Sequence, residues 1–265
     1  MSRKAEEILE FDALRELLRR RTTCAPGRRA VDGLAPGTVR VALDSAFALI
    51  REAREWLRAG RELGFGALAD PEAWLAKLAP EEASAEAAHA AILDAVQLLD
   101  AAALLETAGW LKEQFREEGE KFPKLAARAS AQGDFRELLA AIRKCILPNG
   151  EISDAASPAL RRIRGNIAQT RESLQKLLKQ ILRSRGAEAG EDYVTLRNER
   201  FVIPVRAESR RSVPGVVHGS SASGQTLFLE PLEAVEVNNQ LVQLAEEEAA
   251  EITRILQDLT RRLQM

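Results

Sequence analysis

Apolar positions along this chain keep two different rhythms. In the first half the period is helical but often interrupted. From Ala5 to Arg20, the residues Ile8, Phe11, Leu14, Leu17 and Leu18 recur at steps of three and four. A stretch rich in breakers follows, Thr22 to Thr38, with a short helix expected over Arg28–Leu34. Helices are expected at Val41–Ala59, Pro71–Leu78, Ala85–Leu105, Ala108–Glu117 and Phe135–Leu147, with Pro80, Gly119, Pro123 and Gly133 as interruptions. The three tryptophans, Trp56, Trp74 and Trp110, fall on these amphipathic helices and read as core rather than as stacking platforms.

After the break Pro148-Asn149-Gly150 the pattern becomes regular. Ser157 is placed to cap a helix whose first position is Pro158. The seam Leu160, Ile163, Ile167, Thr170, Leu174, Leu177, Ile181 then runs towards Gly186, predicting a helix of about 28 residues and roughly 42 Å. A second seam of similar length runs Val235, Asn238, Val242, Ala245, Ala249, Ile252, Leu256, Leu259, Leu263. Two such seams suggest an antiparallel pair. The first helix is basic (Arg161, Arg162, Arg164, Arg171, Lys176, Lys179, Arg183, Arg185) and the second is acidic (Glu233, Glu236, Glu246, Glu247, Glu248, Glu251, Asp258). Mutual pairing across the seams is therefore the simplest use of that charge, with binding to a phosphate backbone as the alternative.

Between the seams the period turns strand-like. Tyr193–Leu196, Phe201–Val205, Val216–Val217 and Thr226–Leu229 are rich in β-formers, separated by turns at Arg197–Arg200, Ser212–Gly215 and Gly219–Gln225. Pro204 implies an edge strand or a bulge, because proline donates no ladder bond. The fold class expected is mainly α: an irregular helical core domain plus a long antiparallel helical lever pair, capped by a small four-stranded β clamp. The expected boundaries are 1–149 for the core, 150–187 for the ascending helix, 188–231 for the clamp and 232–265 for the returning helix.

Composition narrows the function classes. Net charge is −2, so a basic surface, if there is one, is local. Cys24 and Cys145 belong to no metal-type cluster, which argues for a reducing cytoplasm and against a bound metal. Neither a signal peptide nor a run of about 18 apolar residues is present. A phosphate loop of the form GxxxxGK[ST] is missing, as is GxSxG, and Ser173-Leu174-Gln175-Lys176 matches SxxK only by chance on a heptad helix. No catalytic residue is expected in this chain.

The residues "FVIPVRAESRRSVPGVVHGSSASGQTLFLEP" (Phe201–Pro231) resemble the clamp of the second paralogue of the bacterial MutS family. "GEISDAASPALRRIR" (Gly150–Arg164) resembles the entry to that family's lever, and "VNNQLVQLAEEEAAEI" (Val237–Ile252) its returning helix. Leu9-Glu10-Phe11 and Leu34-Ala35-Pro36 add a weaker match in the first half. The resemblance implies a longer protein in which core, lever and clamp precede an ATPase domain and usually a Smr-type nuclease. This chain is expected to be the piece before the ATPase, so ATP and Mg belong to the parent, as does homodimer formation. The implied role is holding branched DNA in recombination control. The alternatives are a segment gripping stalled or collided ribosomes, or a purely structural coiled-coil module.

The expected contact surface is the clamp tip. If the four strands simply alternate direction, the first and third turns share that tip. It then offers Arg197, Asn198 and Arg200, together with Ser220, Ser221, Ser223, Gly224 and Gln225, whose amides and hydroxyls suit phosphate oxygens. Arg206, Arg210 and Arg211 form a further basic cluster, expected nearer the lever. His218 has no carboxylate partner in its motif and reads as structural.

Overall fold

The computed structural model describes residues 10–66, 68–78, 92–185 and 193–264. The start of the first expected helix and the stretch expected to begin a helix at Ala85 lie outside these residues. Contacts divide the chain into two compact units, residues 1–153 with 256–265, and residues 154–255.

Among its described residues the first unit has helices and, besides them, an isolated bridge between Ile146 and Ile152. Its helices are α1 (Phe11–Arg19), α2 (Ala25–Asp32), α3 (Arg40–Arg58), α4 (Glu72–Leu78), α5 (Ala95–Glu117), α6 (Pro123–Ser130) and α7 (Arg136–Cys145). One hydrophobic cluster gathers Trp56, Leu111, Phe115, Phe122 and Ala129. The Trp56 ring meets Phe115 at 4.7 Å and Phe122 edge-on at 5.3 Å, and its indole N–H donates to the Glu62 carbonyl at 2.9 Å. Trp74 is also buried, but Trp110 is 41% exposed and lies against Gly64, so it is not a core residue.

Two further expectations fail in this unit. The break expected between Leu105 and Ala108 is absent: α5 runs through it, capped at its start by an Asp94–Gln97 capping box. Gly109 costs the helix stability without interrupting it. Pro123, expected as a breaker, instead starts α6. The Glu52 carboxylate, brought in from α3, accepts from the Lys124 and Leu125 amides at 2.8 and 2.9 Å and caps that helix.

The second unit holds the lever and clamp. Helix α8 spans Pro158–Arg185, 28 residues. Ser157 Oγ accepts from the Leu160 amide at 2.9 Å, an N-cap bond, and donates to Glu251 at 2.6 Å. The last helix, α9, spans Leu232–Gln264, and its residues from 256 onwards count with the first unit. Ser157 meets Glu251, Arg164 meets Glu248 at 2.7 Å, and Leu178 clusters with Ala234. Rising numbers on α8 thus face falling numbers on α9, so the pair is antiparallel. The buried positions differ in phase from the expected seams. They are Leu160, Ile163, Leu174, Leu178 and Leu182 on α8, and Ala234, Asn238, Leu244, Ile255, Leu259 and Thr260 on α9, whereas Ala245 and Ala249 are exposed.

The sheet comprises β1 (Thr195–Arg197), β2 (Arg200–Arg206), β3 (Gly215–Ser220) and β4 (Thr226–Pro231), in the order β1-β2-β4-β3 with antiparallel neighbours. Strands β2 and β3 therefore run parallel on either side of β4, joined by a crossover. Val213 on that crossover is buried with Ile203, Val205 and Leu229 against Leu174, Leu178 and Leu182 of α8. Pro204 sits on an interior strand, contrary to expectation, and the bulge falls in β3 between Val217 and Gly219. The reason is register. The β1–β2 turn closes on the pair Arg197–Arg200, so even-numbered residues of β2 face β1, and β1 pairs no further than Val202. The missing N–H of Pro204 has no strand to serve.

Candidate nucleic-acid interface

The crossover separates the two turns expected to share one tip. Gly215 pairs with Pro231, where β4 enters α9, and Ser220 pairs with Leu227 at the opposite end. The β1–β2 turn therefore lies at the α9 end of the sheet, and the Ser220–Gln225 turn lies at the far end with Arg206, which pairs with Thr226. The expected grouping of Arg197, Asn198 and Arg200 with the serine turn is not found, because the strands do not simply alternate.

At the α9 end, Asn198 and Glu199 both have left-handed backbone (φ 49° and 62°), as a two-residue hairpin turn requires. Asn198 donates to the His218 carbonyl at 3.3 Å. The Arg197 guanidinium lies 4.4 Å from the Phe228 ring centre. Arg200 turns inward, donating to Asn239 Oδ1 at 2.6 Å and to Glu230 at 3.3 Å.

Glu230 is 3% exposed and holds three partners: Arg200, His218 Nε2 at 2.7 Å and Asn238 Nδ2 at 2.8 Å. His218 thus has the carboxylate partner its sequence neighbourhood does not show. Asn238 is fully buried, and its amide also pairs with both backbone groups of Phe201, accepting at 2.9 Å and donating at 3.1 Å. The ladder offset places Phe201 opposite Pro231, which has no N–H and begins the turn into α9. The Asn238 carboxamide therefore stands in for the missing peptide of β4. Asn238 was legible only as a polar residue in an apolar seam, and Glu230 only as an acid inside a hydrophobic strand. Both signals mark buried pairing without naming the partner.

The far end is built differently. Ser221 is used internally: its amide donates to Thr226, its carbonyl accepts from Gly224, and its hydroxyl accepts from the Thr226 amide at 3.2 Å. Gly224 has φ +72°, which suits glycine. Among the described residues, the amides of Ala222, Ser223 and Gln225 make no bond within the chain. Ser220, Ser223, Gly224 and Gln225 are exposed beside Arg206, and the Ala207 amide donates to Gln225 at 2.9 Å. Arg206 lies 3.9 Å from the exposed Glu208. Arg211 is exposed on the crossover, while Arg210 is turned back onto the carbonyls of Val213 and Gly215. Gly215 admits no side chain, since a Cβ there would come within 2.2 Å of the Glu230 carbonyl.

Free amides, hydroxyls and an arginine therefore meet at one exposed end, groups of the kind that can approach an anion. Among the described residues no cluster of histidine, cysteine or carboxylate could hold a metal, and no helix is long and apolar enough to cross a membrane. An antiparallel helical pair carrying a small four-stranded sheet is the architecture expected from the MutS-type resemblance.

No protein-family model matches the chain. It is 37% identical over 261 residues to a protein of Symbiobacterium thermophilum named Endonuclease MutS2, a match covering 98% of this chain and 32% of that protein. Proteins of the same name from Thermomicrobium roseum and Pelotomaculum thermopropionicum are 35% identical over 99% and 98% of the chain, and each is covered over 32% of its length. The chain spans about a third of the length of these curated relatives, and along almost its whole length it is similar to these MutS2 proteins.

Proposed function

We propose that this chain is the nucleic-acid-holding part of a MutS2 protein and that it grips the phosphate backbone of DNA with the far end of the clamp. The observation that carries this reading is the convergence of Arg206, the serine hydroxyls and three unpartnered amides at one exposed end of the sheet. Such groups fix position on a duplex without reading its sequence. Arg197 and Asn198, at the α9 end, are secondary contacts in this reading. Arg200 and Arg210 hold the clamp in shape. The chain contributes no catalytic group of its own; nucleotide turnover and strand cutting belong to other parts of the full-length protein.

Fluorescence anisotropy with duplex and branched DNA of equal length, over a salt series, tests this. Arg206 at the far end and the exposed Arg211 of the crossover contribute about −2 to the slope of log affinity against log salt on duplex DNA. Replacing both with Ala removes that contribution and weakens all sequences alike. Co-sedimentation with purified ribosomes, in a protein that leaves both DNAs unbound, would overturn the reading in favour of a ribosome-gripping segment.

A further inference from the structure

The basic helix was expected to spend its charge on the acidic one, and the structure shows that it does not. Of the α8 cations with described side chains, only Arg164 reaches α9, through Glu248 at 2.7 Å, and Lys176 is taken by Glu172 of its own helix at 2.6 Å. Arg161, Arg162, Lys179 and Arg183 are exposed and, among the described residues, have no ion-pair partner. At about 100° per residue Arg161, Lys179 and Arg183 lie together on the side of α8 opposite the buried Ile163 and Leu174, with Arg162 about a quarter-turn round from them. The exposed acids Glu233, Glu236, Glu246 and Glu247 of α9 make no ion pair with them.

We propose that this outward face of α8 is a second phosphate-contacting surface, laid along about one turn of a nucleic-acid duplex. The proposal rests on the reading above and adds to it a surface and a length. Like charges held on one rigid helix repel, and on this face the described residues supply one carboxylate, Glu172, already paired with Lys176, so an external polyanion is the natural counterpart. From Arg161 to Arg183 the helix rises ~33 Å, close to the ~34–36 Å repeat of the duplex. The two pairs of cations, one near each end, therefore meet backbone at both ends of one turn. An acidic protein surface has no such fixed repeat.

The test is the salt slope of the 265-residue chain carrying Arg161→Gln, Lys179→Gln and Arg183→Gln, with folding checked by circular dichroism. On a duplex of about 24 base pairs the slope falls by ~2.7, the amount three released counterions predict. On a duplex of about 6 base pairs, which at 3.4 Å per step is shorter than the stripe, it changes by less than half as much. A matched variant losing Arg21, Arg40 and Arg51 from the first unit keeps the wild-type slope. If the α8 variant binds the long duplex with the wild-type slope while Arg206 and Arg211 variants lose binding, the proposed function stands and this surface does not exist. An equal loss in the matched variant reduces the effect to net charge and also overturns it. So does a change in oligomeric state by light scattering without a change in slope, which would make the face a self-association surface. If the wild type binds no duplex at all, both readings fall together.

Discussion

The residue that ties the clamp to its lever is Asn238. Its carboxamide completes the β2 ladder at Phe201 and closes the partner set of the buried Glu230. Replacing Asn238 with Ala leaves the Phe201 amide and carbonyl without that partner and leaves Glu230 Oε1 to Arg200 alone. Each such group costs ~1–3 kcal/mol, so urea unfolding is expected to show a loss of at least ~2 kcal/mol. A loss under ~0.5 kcal/mol, the range of ordinary surface substitutions, would mean that the network is not what holds the sheet. A second residue-scale expectation concerns pH. The Arg254 guanidinium, and then the Ser157 hydroxyl, hold the Glu251 carboxyl down at about 2. A depressed carboxylate stabilises the fold above its ordinary pKa, and that contribution is lost as pH falls from about 4.5 towards 2. Wild type and Glu251→Gln should therefore differ in stability at neutral pH and converge towards pH 2, measured by denaturant unfolding at each pH. A gap that is constant with pH would rule out this role for Glu251.

At the scale of elements, the ends of the lever were legible because their chemistry is local. Ser157 and Pro158 mark the start of α8 by capping and by proline's fixed φ, and the 28-residue length follows from the spacing. The phase of the seam was less legible. A heptad template puts Leu177 and Ile181 inside, but a helix that packs partly under a sheet buries a row at steps of four: Leu174, Leu178 and Leu182. Leu178→Ala should then cost ~2–5 kcal/mol, the range for a fully buried leucine. Leu177→Ala, at a half-buried position, should cost distinctly less. Equal costs would restore the heptad phase. The start of α6 was not readable at all, because its cap is Glu52, more than 70 residues away in the chain. The strand order was missed for a related reason. Alternation of apolar residues locates strands, but nothing local says that the Ala207–Pro214 segment crosses back over the sheet rather than turning in place. That one connection decides which arginines share an end with the serine turn.

For the whole molecule, the net charge of −2 conceals a segregated surface. Cations line the outer side of α8, acids line α9, and the far end of the clamp carries Arg206 next to Glu208. Removing that one carboxylate is an informative change. Glu208→Gln frees Arg206 from its weak partner and removes a like charge from the path of a phosphate, so affinity for duplex DNA should rise several-fold at low salt, with the gain shrinking as salt screens it. A fall in affinity would show that Arg206 does not face the nucleic acid.

Which end of the sheet holds the ligand is the decisive question. The most direct measurement is anisotropy titration of a fluorescent duplex, at several salt concentrations, with Arg206→Ala/Arg211→Ala and Arg197→Ala/Arg200→Gln compared with the wild-type chain. The Arg206/Arg211 variant should lose about two from the salt slope. The α9-end variant should lose no more than one, since Arg200 is already committed to Glu230 and Asn239. The reverse result, a wild-type slope for the Arg206/Arg211 variant and a large loss for the other, would contradict the assignment of the far end as the phosphate-gripping surface.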